Sequence, residues 1–440
     1  MGEGEFETKR IRTRCYIDRL FLCALCVFAS NNLINSPIAF ADDWQFGGHA
    51  KYQYTVTGYA RDDVQALYGD DPARDNAADL RLKAEKRAGP WDFSAHYELL
   101  AIHGNSLETR RRLATAGLLT GGTVSGLPDD RRRLFDLTDD LTDRNRTVAV
   151  QRLDRLALGY RTDRQVVRVG RQAVSWGNGL VFQPLDFVNP FSPLAIDKDY
   201  KTGDDMLYGQ WLLAGQNDLQ AIILPRRDPV TGGIESRQSS YAAKSRTRLG
   251  VLDLDLLAAR HYDETLVGAG LVKSLGGAVG RLDVSYADLA DGDGAWSLVT
   301  NLDYSWTWGG KNIYGYLEYF RNGVGESASA RYATPNAALA ARLARGELFA
   351  LARDYAALGL QVELAPLVNL YQGLILNLND GSGFYQVRGV YDWRQNVQLM
   401  AGFNLPFGAR GDEYGGIPVG IPGIYAASGR SVYVRAAHYF

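Results

Sequence analysis

Arg168-Val169-Gly170-Arg171-Gln172 is the stretch whose residue types and spacing point most directly to chemistry. On an extended backbone, side chains alternate between two faces, so Arg168, Gly170 and Gln172 share one face while Val167 and Val169 share the other. The chain then runs through Ser175-Trp176-Gly177-Asn178-Gly179, where two glycines permit sharp changes of direction, to Asp186, Asn189-Pro190, Asp197, Lys198 and Asp199. Guanidinium, ammonium and carboxylate groups set out this way attract or repel ions rather than make bonds. The chemistry implied is electrostatic selection, as performed by rings of charge lining a passage. Valines suit a lipid face, which turns Arg168 and Gln172 inward. A cation facing lipid at mid-depth costs about 2–4 kcal/mol, so Arg171 is expected near an interface, or turned inward by a bulge at Gly170. Segment 175–204 is expected to fold inward as a constriction; the alternative is packing against a wall.

A second set of charges, Arg152, Asp154 and Arg155, then Asp253, Asp255, Arg260, Asp283 and Glu363, falls on other alternating segments. Charges on the wet face of a strand commonly form ion-pair networks. Bond-making chemistry finds less support. The histidines (49, 96, 103, 261 and 438) include no H-E-x-x-H pattern and no helical i, i+4 pair. A Ser–His–polar trio could assemble across strands, around His96 or His261, without leaving a motif. Asp291–Gly294 and Asn379–Gly383 read as hairpin turns rather than calcium loops, and no phosphate-binding fingerprint occurs in a strand–helix context. The expectation is no catalytic centre, no metal and no cofactor.

The N-terminus has the layout of a secretory leader. Lys9, Arg10, Arg12, Arg14 and Arg19 precede the apolar run Leu20–Ala29, and Ala39-Phe40-Ala41 offers a cleavage site after Ala41. All three cysteines (15, 23 and 26) lie within this leader, which excludes disulfides and thiol chemistry from the expected mature chain, 42–440. Beyond Ala41 the chain keeps 43 of its 48 basic and 46 of its 50 acidic residues, a net of −3 that argues against nucleic acid as a partner. Mean hydropathy is −0.21 and no long apolar run occurs after the leader. Strands that alternate lipid-facing and lumen-facing residues give that average while still crossing a membrane. The 25 Tyr, 8 Trp and 16 Phe supply aromatic girdles for two interfaces.

Almost the whole mature chain reads as such strands. Tight turns at Gly89-Pro90, 161–164, 215–218, Leu249-Gly250, Gly276-Gly277, Gly309-Gly310, Pro366 and 394–396 alternate with longer connections, four of them extensive (104–146, 175–204, 324–350 and 407–429). The count is about 18 strands, with 16 the alternative, an even number in an all-β, up-and-down transmembrane barrel with short periplasmic turns and long extracellular loops. Segment 238–262 reads as one long strand or two short ones, and Ala337–Arg345 as a short loop helix. The last strand places Val432, Val434, Ala436, His438 and Phe440 on one face and ends on an aromatic. It resembles the signal by which Gram-negative outer-membrane barrels are recognised for insertion.

The pattern Gly170-Arg171-Gln172, Trp176-Gly177, Asp186 and Asn189-Pro190 resembles porin-like outer-membrane proteins, among them alginate-export-type barrels and related uncharacterised families. The close likeness covers about 50 residues and is specific for a barrel rather than for a substrate. It implies an outer-membrane location, contact with lipid and with the barrel-assembly machinery, and a periplasmic or inner-membrane transport partner. Three functions stand open: a channel for small solutes, a dedicated conduit for a polysaccharide, lipid or hydrophobic compound, and a structural sleeve around a partner.

Overall fold

The computed structural model describes residues 44–119, 124–196, 198–290 and 292–440. The expected leader, Asp197 and Asp291 lie outside the described residues. Twenty-one strands are present among the described residues. The first seven are β1 (Trp44–Gly58), β2 (Ala73–Ala88), β3 (Trp91–Gly104), β4 (Thr138–Arg144), β5 (Thr147–Arg161), β6 (Gln165–Gln172) and β7 (Asp204–Leu212). Next come β8 (Asp218–Leu224), β9 (Ser240–Leu249), β10 (Leu252–His261), β11 (Glu264–Leu275), β12 (Ala278–Asp288), β13 (Gly294–Trp308) and β14 (Lys311–Arg321). The last are β15 (Asp354–Ala365), β16 (Val368–Asn377), β17 (Gly383–Arg394), β18 (Val397–Phe407), the short ladder β19 (Ile417–Pro418) with β20 (Tyr425–Ala426), and β21 (Arg430–Tyr439).

Eighteen of these form one closed antiparallel wall, each paired with its sequence neighbour. Closure joins β21 to β1 over His49↔Tyr439 to Gly58↔Arg430, and the Gly48 N–H donates to the Phe440 carbonyl at 2.7 Å. A closed sheet leaves no unpaired edge, which is the condition for strands to cross hydrocarbon. Segment 238–262 is two strands, β9 and β10, paired Ser240↔His261 to Leu249↔Leu252.

Alternation sets the two faces. Tyr52, Tyr54 and Val56 of β1 lie opposite Ala436, Val434 and Val432 of β21 on the outer surface, while Gln53 faces Arg435 across the same pair on the inner one. Near the short-turn rim, Trp91 stands edge-on to Tyr160 at 4.9 Å. Toward the other rim Trp296 packs on Tyr286, also at 4.9 Å. These are the elements of two aromatic girdles.

Stretch 104–146 holds more than a loop: a helix, Asn105–Thr115, and the strand β4. β4 and β6 lie end to end along one flank of β5, β4 against Thr147–Arg152 and β6 against Leu156–Arg161. Where β6 and β7 stop short, residues 130–144 complete the wall, with a bridge between Arg133 and Arg226 on the far side. This explains Arg171. Its register stays regular opposite Asp205, and Gly170 has φ +117° without a bulge, so Arg171 is not turned inward. It is fully buried under the patch instead, donating to Asp205 at 2.9 Å, to Asp130 at 2.7 Å and to the Phe135 carbonyl at 2.7 Å. Burial raises the Asp130 carboxyl, but Arg133 and Arg171 outweigh it and hold the group down at about 2. Gln172 stays on the inner face with Arg168, as expected, its amide donating to the Met206 and Arg168 carbonyls.

Removing a buried partner strands the charges it neutralised, at a cost of about 3–5 kcal/mol. Arg171→Ala should therefore lower the stability of the folded barrel by roughly that amount. Urea titration in lipid vesicles, followed by tryptophan fluorescence, measures it; an unshifted midpoint would contradict the wall-patch assignment.

Candidate functional site: a loop across the bore and two chambers

Residues 173–203, between β6 and β7, enter the bore and visit its wall in rotation. Gly177, at φ +93°, makes the first turn. Asp283 of β12 then accepts from the Asn178 backbone N–H at 2.6 Å and from its side-chain amide at 2.7 Å. Next the fully buried Glu318 of β14 accepts three consecutive backbone N–H groups, from Leu180 (2.6 Å), Val181 (3.0 Å) and Phe182 (2.8 Å). Farther on, Gln386 and Arg388 of β17 donate to the Leu194 and Ile196 carbonyls. Asp199 reaches Lys51 of β1 at 2.6 Å and Tyr439 at 2.8 Å. The return leg is held by Asp154 of β5, which accepts the Gly203 N–H at 3.1 Å, and by Arg155, which donates to the Lys201 carbonyl. Inside the loop, Lys201 clamps Asp186 at 2.5 and 2.6 Å and the Val174 carbonyl at 2.6 Å. Burial pushes the Asp186 carboxyl up to about 6 even beside that ammonium.

The loop's apolar residues fill much of the lumen. Trp176, Leu185, Phe187 and Val188 pack on Met206, Ile222, Leu257 and Ala259, the inner faces of β7 to β10. Val181 and Phe182 join Phe320, Tyr355 and Phe384, together with Tyr332 and Tyr414 from the long outer loops, in a second apolar cluster.

Two chambers remain against the strands from β11 round to β21, and Val181 and Pro193 line both. The outer one, about 100 Å³, is bounded by Phe182, Phe187, Phe191, Phe320 and Phe349; its acids Asp186, Glu264 and Glu347 pair with Lys201, Arg342 and His261. The inner one, about 470 Å³, carries Tyr314, Tyr316, Tyr371, Tyr433 and Tyr439. Its charges are Lys198, Asp199, Arg388 and Arg435. Lys198 makes no hydrogen bond or ion pair among the described residues, and its ammonium is held below its usual range by burial and by Arg388. The Arg388 guanidinium stacks over Tyr371 at 4.7 Å, and its Nε is buried without a partner.

Of the residues singled out from the sequence, Lys198 and Asp199 sit at the inner chamber. Asp186 borders the outer chamber with its carboxylate held by Lys201. Arg168 faces the lumen and pairs with Asp92 at 2.7 Å, lining a separate 290 Å³ pocket with Arg155 and His96. Arg152 and Arg155 share Asp154, which also takes Arg81 at 2.8 Å. Asp255 holds Lys244 at 3.1 Å and Arg246 at 2.9 Å, whereas Asp253 stays half-exposed, 3.9 Å from Arg248. Lys51, Lys201, Glu318 and Arg388 escaped the sequence reading. For Glu318 a signal existed: it is the lone charge on the inward row Tyr314, Tyr316, Glu318, Phe320.

A Ser–His–acid trio does occur at His261: Ser240 Oγ lies 2.7 Å from Nδ1, and Glu347 Oε1 lies 3.0 Å from Nε2. Ser240 is fully buried and its oxygen also accepts from Arg226 at 2.9 Å, so the hydroxyl has no access to a solute. The trio instead ties loop 322–353 to the wall. Glu413 does the same for the outer mouth, accepting from the Leu351 N–H (2.8 Å), the Tyr355 hydroxyl (2.6 Å) and the Asn377 amide (2.9 Å).

No family model matches this chain, and no curated protein sequence does. Solved structures do match in fold. A BenF-like porin from Pseudomonas fluorescens Pf-5 superposes with TM-score 0.51 at 10% identity, over 91% of this chain and 100% of that one. OccAB4 from Acinetobacter baumannii gives 0.50 at 11%, over 92% and 100%. OccK2 (OpdF) from Pseudomonas aeruginosa, solved with glucuronate, gives 0.50 at 9%, over 90% and 98%.

Two expectations follow. A hydrogen bond to a charged acceptor is worth about 1.5–3 kcal/mol, so Glu318→Ala should speed hydrogen exchange at Leu180, Val181 and Phe182 by about tenfold or more; unchanged protection would contradict the anchor. Burial also pushes the Glu413 carboxyl up to about 7 from 4.5. A raised acid makes the folded loops most stable below the lower value, with that stability lost as pH rises through the higher one. Proteolysis of loop 322–353 should be faster at about pH 8 than at about pH 5. Glu413→Gln should abolish the difference, and a pH effect that survives in this variant would contradict the assignment.

These features make the chain a closed 18-strand barrel with the fold of the outer-membrane porins it superposes on, its bore crossed by its own loop.

Proposed function

We propose that the protein is an outer-membrane channel whose passage favours small anions carrying an apolar or ring-shaped body. The observation that carries this reading is the pair of cations at the inner chamber, Lys198 and Arg388, with no carboxylate within 4.0 Å of either among the described residues. Asp199, the acid of that chamber, is engaged by Lys51 and Tyr439. Elsewhere in the bore most charges are matched within the wall, so unmatched positive potential concentrates at the inner chamber. Selection by charge at a constriction needs no more than that.

The body of the solute is suggested by what surrounds the cations. Five phenylalanines line the outer chamber and five tyrosines the inner, giving ring faces with hydroxyls at the wetter end. OccK2, one of the matching structures, was solved with glucuronate, a carboxylate, which is consistent with the same charge preference. The loop's many anchors disfavour a conduit for a thick polymer, and the filled bore disfavours a sleeve around a partner. We place the short turns and both termini in the periplasm, with β21 serving insertion and Ala41 ending the leader.

Replacing both cations, Lys198→Glu with Arg388→Glu, should turn an anion-preferring channel into a cation-preferring one. The zero-current potential of a planar bilayer under a salt gradient reads this directly. Retention of the wild-type sign would overturn the proposal.

A further inference from the structure

The outer surface carries an apolar furrow that neither the wall nor the channel requires. Two hollows, of about 530 and 520 Å³, adjoin on the faces of β10 to β17 and share Leu302 and Leu317. Their rows can be followed through the register: Leu252↔Lys273, Lys273↔Gly280, Gly280↔Leu302, Leu302↔Leu317 and Leu317↔Leu358. Gly280 and Gly315 supply the depth, because neither puts a side chain on the outer face. Leu275 and Trp306 lean toward these gaps, with atoms 3.0 and 3.1 Å from where a Cβ would stand.

Lys273 stands at one end of the furrow. It lies on the lipid-facing row three residues before the Gly276-Gly277 turn, at the rim where β1 begins at Trp44 and β21 ends at Tyr439. It is exposed and makes no hydrogen bond or ion pair among the described residues. An ammonium on an otherwise apolar lipid face is costly unless it meets the headgroup layer and an anion there. From Lys273 the row climbs. The Leu302 position is six residues from the Trp308 end of β13, so the furrow runs from the membrane boundary toward mid-depth, the course an acyl chain takes below its phosphate.

We propose that this furrow is a binding site for one glycerophospholipid of the leaflet at the short-turn rim, its phosphate on Lys273 and an acyl chain lying over Gly280 and against Leu302 and Leu317. Charge complementarity selects this occupant. A second copy of the chain would have to bring an acid to Lys273, and the one acid lining the two hollows, Asp303, is held by Arg281 at 2.5 Å. The site is independent of the channel reading, since it uses no lumen residue.

The test compares phospholipid retained by the barrel after detergent extraction, by native mass spectrometry, in the wild type, Lys273→Gln, Lys273→Arg and Gly280→Leu. Heat-modifiable gel migration confirms that each variant is folded. One basic residue near a phosphate layer contributes roughly fivefold in affinity, so Lys273→Gln should reduce retained lipid about fivefold while Lys273→Arg keeps it. Gly280→Leu fills the furrow and should abolish retention with the charge intact. Equal retention in all four proteins would overturn the proposal, as would a wild-type dimer that the Gly280→Leu variant dissociates.

Discussion

A backbone that leaves the wall of a barrel and crosses its bore gives up the ladder that satisfied its N–H and C=O groups, and everything in this lumen follows from where those groups find new partners. Glu318 meets the largest part of the demand, taking three successive amides of the crossing segment on one carboxylate. Burying a carboxylate costs several kcal/mol, and here no cation pairs with it among the described residues; the amide dipoles and the Asn301 side chain at 3.1 Å supply the compensation. The exchange is mutual, since the charge is tolerable only while the loop is present and the loop is ordered only while the charge accepts it.

The same constraint shapes the wall. Once β6 and β7 stop early to release the loop, their neighbours would show unpaired edges near the membrane boundary. Residues 130–144 remove that edge, and the buried Arg171 with Asp130 and Asp205 rivets the patch in place. Inside, the loop's first half becomes apolar core against β7 to β10, which moves the open space to the opposite side of the bore. The division into an outer chamber of phenylalanines and an inner one of tyrosines and cations is therefore a consequence of which wall the loop leans on.

Much of this was legible in the sequence because the determining pattern is local. Alternation in Trp91–Leu99 or Ser431–Phe440 fixes which face meets lipid, and glycine-rich turns fix where strands reverse. The strand β4, Thr138-Asp139-Asp140-Leu141-Thr142-Asp143-Arg144, escaped because a patch at the wet rim has no lipid face and so no alternation to show. Arg171 reads as misplaced until the segment that covers it, 41 residues earlier, is known. Lys51, Glu318 and Arg388 stand on strands far from the loop in sequence, and Gln386 meets Leu194 across 192 residues. Pairings of that range are set by barrel closure, which no local pattern encodes.

The central claim is that segment 173–203, held by Glu318 and its companions, is what narrows the bore. Single-channel conductance of the intact protein beside a variant in which residues 176–194 are replaced by a short glycine–serine bridge tests it most directly. The account predicts small steps from the intact channel and steps several times larger from the shortened one. Indistinguishable conductance in the two proteins would mean that the loop does not control the passage.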